Sequence, residues 1–133
     1  MAPAQSLNRV AVVTSDMDRL LAWYQRVFDA SVFVDVEEDG LRHVVVSLGE
    51  IRPAFLHPFE FTTADLATRG LFLGGEVDHL ALTAPDERSF WDLHRRAEAE
   101  RAGVIPVFDS GSTVNFHVDD FDGTAYEVRW RRF

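Results

Sequence analysis

Two stretches decide the fold: Val10-Ala-Val-Val-Thr-Ser-Asp16 and, further along, Leu80-Ala-Leu-Thr-Ala-Pro-Asp86. Each is a short apolar run of strand character that ends in a residue able to cap a helix. After the first, Leu20, Trp23, Tyr24, Val27 and Phe28 recur at helical spacing through Asp29. After the second, Pro85-Asp86-Glu87 places acids at the positive end of a helix dipole. Phe90, Leu93, Ala97 and Ala102 form that helix's inner stripe, and Gly103 is suited to stop it. A strand leading into a helix therefore occurs twice.

Working outward from these starts, three strand-like runs follow the first helix. They are Ser31–Val36, Leu41–Leu48 after the Asp39-Gly40 turn, and Ile51–Phe55 after Gly49-Glu50. The second half, opening on the strand Val77–Thr83, repeats the order with Val104–Phe108, Ser112–Val118 and Thr124–Trp130, the last two joined by an Asp-rich turn over 119–123. The expected fold class is α+β: two β-α-β-β-β modules, with sheets curving into one cup and helices outside. The expected organisation is a single domain over residues 1–133, with module one at about 7–57, a linker at 58–76 and module two at about 77–131. The linker holds Pro58, Gly70 and Gly74-Gly75, with at most a helical turn near Thr63–Thr68. Connections of that length often line binding sites.

Composition removes several kinds of chemistry. There is no cysteine, which excludes disulfides, thiolate catalysis and Cys-based zinc sites. All 13 basic residues are Arg, so Schiff-base chemistry lacks its lysine. No GxxxxGK[ST] or GxGxxG motif exists for nucleotide phosphates. A net charge of −9 argues against general nucleic-acid binding. No apolar run approaches the roughly 20 residues of a membrane helix. Met1–Ser6 has neither the basic nor the hydrophobic region of a secretory signal, so a cytoplasmic protein is expected.

Strand parity sorts the polar residues. If Val10, Val12, Leu80, Leu82, Tyr126, Val128 and Trp130 face the helices, then Arg9, His79, Glu127 and Arg129 lie on the opposite faces. The same logic puts Phe55 and His57 together on the fourth strand. Arg9, His57, His79 and Glu127 then converge in one cup, where two imidazoles and a carboxylate would suit a divalent ion with open positions. Spacing alone leaves a plainer reading open: hydrogen-bonded histidines, and an Arg9–Glu127 ion pair. His117 is a candidate general base or a structural residue. His43 and His94 read as surface or helix-flank residues, and Glu37-Glu38-Asp39 as a solvated hairpin tip. Asp119, Asp120 and Asp122 are expected to bond local backbone. Trp23, Tyr24, Phe90 and Trp91 read as core, while Phe55, Phe59, Phe61, Phe72 and Phe108 are candidates for an apolar pocket wall.

The double module, the opening Leu7-Asn-Arg-Val-Ala-Val with Ser15-Asp-Met-Asp and Trp23-Tyr24, and Val77-Asp-His-Leu-Ala-Leu together resemble the vicinal oxygen chelate superfamily. So does Asp120-Phe-Asp-Gly-Thr-Ala-Tyr-Glu127-Val, close to the family's Asp-Pro-Asp-Gly-x-x-x-Glu-Leu. That group includes glyoxalase I, fosfomycin-resistance transferases, methylmalonyl-CoA epimerases, extradiol dioxygenases and bleomycin-binding proteins. The resemblance implies four metal positions. The first-strand position, usually His, falls on Arg9, which cannot ligate because it stays protonated. The others fall on His57, His79 and Glu127. It further implies one divalent ion (Fe, Mn, Ni, Co or Zn), a small-molecule substrate or antibiotic as partner, and a homodimer. Three functions follow. One is a metal-dependent isomerase, lyase or dioxygenase in which Arg9 orients an oxygen-chelating substrate. The second is a metal-free protein that sequesters an antibiotic, as bleomycin-resistance proteins do. The third is a metal-free enzyme using Arg9 and His79 as polar catalysts.

Overall fold

Asp16 and Asp86 each cap a helix. The Asp16 carboxylate accepts the Arg19 amide at 3.1 Å, and the Asp86 carboxylate accepts that of Ser89 at 2.7 Å. These bonds satisfy donors that a first helical turn leaves without an internal partner. The helices they open are α1 (Met17–Phe28) and α2 (Glu87–Arg101). The computed structural model describes residues 7–49, 54–62 and 77–133. Within these residues the strands are β1 (Arg9–Thr14), β2 (Ser31–Glu38), β3 (Leu41–Ser47), β4 (Phe55–Glu60), β5 (Leu80–Thr83), β6 (Phe108–Asp109), β7 (Thr113–Asp119) and β8 (Ala125–Arg131). The helical turn considered near Thr63–Thr68, and Phe72, lie outside the described residues.

The strands form two sheets, ordered β1–β4–β3–β2 and β5–β8–β7–β6. In each, the first strand lies parallel to the last strand of its module, and the other neighbours are antiparallel. The duplicated β-α-β-β-β order, and with it the α+β class, matches the sequence pattern. Parity holds as well. Leu56, Tyr126 and Val128 are buried on the helix side, while Arg9, Ala11, Ala81 and Arg129 are exposed on the other.

Several boundaries differ, among them the fifth strand, which begins at Leu80 and not at the expected Val77. The fourth strand was expected over Ile51–Phe55, but β4 begins at Phe55 and runs through Pro58 to Glu60. Pro58 reads as a strand breaker because it has no N–H to donate. Here the pairing of β3 on β4 skips the positions opposite His57 and Pro58, so that donor is not needed. Glu60 then accepts the Met17 amide at 2.6 Å, fastening the strand end to α1. The second helix ends on Ala102 in a left-handed conformation (φ 55°), one residue before the expected Gly103. The sixth strand shrinks to Phe108–Asp109, leaving Val104 81% exposed. Trp91, expected in the core, is 45% exposed because it sits one residue round the helix from the fully buried Phe90.

One core joins the two modules. Trp23, Tyr24 and Phe28 of α1 surround Tyr126 of β8, with ring centroids 5.6 Å, 6.2 Å and 5.6 Å away. A hydroxyl chain threads it: Tyr24 donates to Tyr126 Oη at 2.8 Å, and Tyr126 donates to Asp120 Oδ2 at 3.0 Å. The other Asp120 oxygen accepts the amides of Asp122 (2.9 Å) and Thr124 (3.1 Å), the local backbone role expected of this turn. Burial raises the Asp120 pKa above the usual carboxylate value, and raises both tyrosines. At the surface, Arg26 of α1 pairs with Glu100 of α2.

Candidate functional site

The packing of β8 decides what the second sheet presents. Tyr126 and Val128 are fully buried, so Glu127 between them must point to the open face. In register, Ala81 of β5 lies beside Glu127 and His117 of β7 lies directly opposite it. His79, two residues before Ala81, completes the group. His79 Nε2 is 3.0 Å from Glu127 Oε2, and His117 Nε2 is 3.8 Å from the same oxygen. One ligand atom from each of the three residues falls within 4.8 Å of the others. Arg129 Nε stands 3.8 Å from the second Glu127 oxygen. The Asp78 carboxylate accepts His79 Nδ1–H at 2.7 Å, which turns Nε2 toward the group. That bond with Asp78, opposed by partial burial and aided by Glu127, raises the His79 pKa.

Two imidazoles and one carboxylate at this separation fit a borderline divalent ion, and Asp78 supplies the outer partner such histidines usually have. His117, which the sequence leaves as a general base or a structural residue, belongs to this cluster. The signal that finds it is the β7–β8 register, which a sequence does not display.

The first sheet carries Arg9 and His57. Arg9 is exposed and lies beside Phe55, while His57 lies beside Ala11 and is 9% exposed. His57 Nε2 is 2.9 Å from His43 Nδ1, and His43 Nε2 is 3.4 Å from Glu38 Oε2. His57 is not part of the His79–His117–Glu127 group. Among the described residues the ion-pair partners of Glu127 are His79, His117 and Arg129, and Arg9 is not one of them. Burial, then the charges of Arg9 and His43, holds the His57 pKa below the ordinary imidazole value.

His43 is not the bystander expected. It alternates with Val44 and Val46, which are buried against the helices, so it faces the open side with His57. That alternation was readable in Arg42-His-Val-Val-Val46. Of the expected aromatic wall, Phe55 and Phe59 lie on this face, Phe61 is 7% exposed, and Phe108 lines a separate cleft beside α1. A cleft of about 310 Å³ runs between β1 (Val10–Val13) and the approach to β5 (Val77–Leu80), placing Ala11 of one sheet and His79 of the other on a common opening.

The model of the Glyoxalase/Bleomycin resistance protein/Dioxygenase superfamily matches residues 6–128. No curated protein matches the chain. Among solved structures, the chain is similar to a glyoxylase/bleomycin resistance protein/dioxygenase domain from Frankia sp. EAN1pec, with 17% identity, TM-score 0.77, and coverage of 97% of this chain and 93% of that one. It is similar to the fosfomycin resistance protein FosX from Listeria monocytogenes, crystallised with Mn(II) and sulfate, at 14% identity and TM-score 0.65, covering 96% and 93%. TioX from Micromonospora sp. ML1 is similar at 18% identity and TM-score 0.65, covering 96% and 98%. At these identities the likeness concerns the fold. Among the described residues no helix is long and apolar enough to cross a membrane.

Proposed function

This chain belongs to the glyoxalase/bleomycin resistance protein/dioxygenase superfamily, and we propose that within it the protein is a metal-dependent enzyme acting on an oxygen-chelating small molecule, as an isomerase, lyase or dioxygenase. One observation carries the reading: His79, His117 and Glu127 bring three donor atoms within 4.8 Å on one open sheet face. His117, first considered as a base, takes here the third-ligand role that the resemblance gives to His57. When bound, the ion supplies Lewis acidity to a pair of substrate oxygens and stabilises enolate-like charge. The chain's own groups do the rest. Asp78 orients His79 by holding its Nδ1 proton. Arg129 offsets part of the Glu127 charge from the far side. Arg9, on the strand bordering the cleft shared with His79, offers a fixed guanidinium to a substrate carboxylate or enolate oxygen. A homodimer that closes the two open faces belongs to this reading.

A second reading, a metal-free antibiotic-binding protein, is favoured by a different observation: His79 and Arg129 already compensate Glu127 without an ion. Metal content of the untagged full chain, as purified and after chelation and reloading, separates the two. The enzyme reading expects about one divalent ion per chain, lost in both His79→Ala and His117→Ala. Wild-type protein that neither retains nor reloads metal overturns it and leaves the binding protein.

A further inference from the structure

We propose that the outer edge of β7, from Phe116 to Asp119, takes up an extended acidic peptide as an added antiparallel strand. The first support is a gap in the second sheet. In the first sheet β2 covers β3 along its length, from Ser31 opposite Ser47 to Glu38 opposite Leu41. Its counterpart β6 pairs with β7 only at Phe108–Asn115 and Asp109–Val114. Carried on, that register sets Pro106 opposite His117 and Val104 opposite Asp119. Pro106 has no N–H to give a ladder. Ile105 is tied the other way, to α2: its amide donates to Glu98 Oε2 at 2.9 Å, and its carbonyl accepts His94 Nε2–H at 2.8 Å. The segment that would cover β7 is therefore held on α2. A cleft of about 650 Å³ stands at the uncovered edge, with Pro106, Phe108, His117 and Phe121 in its lining.

The second support is the direction of the backbone groups. The Arg132 amide donates to the Ser112 carbonyl, and the Asp120 amide to the Thr124 carbonyl. In an antiparallel ladder these two bonds fix Phe116 and Val118 as the residues bonded to β8. The N–H and C=O groups of His117 and Asp119 therefore point away from β8 into the gap, where β6 offers no partner. Their side chains alternate with the buried Phe116 and Val118 and so lie on the opposite, open face. An uncovered strand edge of this kind is a template for another strand.

The third support is charge. Arg19, Trp23 and Arg26 line the cleft from one face of α1, and Glu100 and Arg101 line it from the end of α2. Arg26 is paired with Glu100, and the Asp120 carboxylate is engaged by Tyr126 and two amides. Among the described residues Arg19 and Arg101 take part in no ion pair. Arg19 lies 4.1 Å over the Phe121 ring. Arg101 follows the residue that holds Arg26, about 10 Å further along α1 than Arg19. The two uncompensated cations thus stand toward opposite ends of the cleft, with Trp23 between them. In a chain of net charge −9 they match an added strand with an acid at each end and an apolar side chain in the middle.

None of these contacts uses the side chains of His79, His117 or Glu127, so this surface stands or falls separately from the metal. The test follows amide hydrogen exchange by NMR in the full chain, before and after chelation. In the protein alone, the His117 and Asp119 amides should exchange faster than those of Phe116 and Val118. The probe is the peptide acetyl-Glu-Thr-Val-Thr-Glu-amide. As an antiparallel strand it turns Glu, Val and Glu toward α1 and brings both Thr amides to β7. At about ten times its Kd it should slow exchange at His117 and Asp119 about tenfold. N-methylation of the two Thr amides should abolish binding, whereas N-methylation of the Val amide, which points away from β7, should preserve it. Arg19→Gln and Arg101→Gln, both at exposed positions, should each weaken binding about two- to fivefold, and Lys in place of both peptide Glu should weaken it further. Slow exchange at His117 and Asp119 in the protein alone, equal effects of the two N-methylations, or indifference to both Arg substitutions would each overturn the proposal. So would equal protection by suberate, a small dicarboxylate, or protection that rises with protein concentration alone, the mark of a second copy.

Discussion

Removing one oxygen from Tyr126 tests whether the hydroxyl chain fastens the two modules together. Tyr126→Phe deletes both the acceptor of the Tyr24 hydroxyl and the donor to Asp120, and all three residues are buried at 6% exposure or less. A neutral hydrogen bond contributes about 1 kcal/mol and one to a carboxylate about 1.5–3 kcal/mol. The expected loss is therefore about 2–4 kcal/mol. Tyr24→Phe removes only the outer donor and leaves Tyr126 bonded to Asp120, so it should cost about 0.5–1.5 kcal/mol. The double substitution should cost no more than Tyr126→Phe alone, because Tyr24 no longer holds a hydroxyl that needs a partner. Urea unfolding measures all three, with the midpoint falling and the m-value unchanged. Equal losses from the two single substitutions that simply add in the double would refute the chain, since independent hydroxyls would behave that way.

Other outcomes follow from the same contacts. The Asp120 pKa is raised by burial, so the folded state holds its proton more tightly than the unfolded chain does. Its contribution to stability therefore declines as pH rises from below the unfolded value through the folded one. Asp120→Asn keeps the backbone-accepting oxygen and should become increasingly favourable relative to wild type over that rise, read by urea midpoints at several pH values. Ala102 closes α2 at φ 55°, where a Cβ is strained. Ala102→Gly should stabilise by about 0.5–1 kcal/mol in the same assay. Asp109 is held down to about 2 by the Arg132 guanidinium and by the Gly111 amide. Its contribution is present above the unfolded value and is lost as pH falls through about 2. Arg132→Ala should return its NMR titration toward the ordinary carboxylate range.

Much of the fold was legible because its signals are local. Alternation in Val10–Val13 and in Tyr126-Glu-Val128 reports which side of a strand is buried, whatever its neighbours. Asp16 and Asp86 begin helices by bonding amides three residues away. The duplication is local order repeated. Where neighbours decide, the local signal misled. Pro58 reads as a breaker, yet it sits inside β4 because the pairing with β3 skips its position.

The site divides the same way. Sequence by itself determined that His79 and Glu127 share a face with Arg129, and that His57 shares one with Phe55, because parity follows from the period of a strand. Tertiary structure alone decided which of these faces meet. His117 joins Glu127 through the antiparallel register of β7 on β8, His43 reaches His57 from the neighbouring strand, and Phe33 meets Phe55 beside a slip in the pairing of β2 on β3. Register is set by turn geometry and by the packing of distant residues against the helices. A single strand carries no record of it.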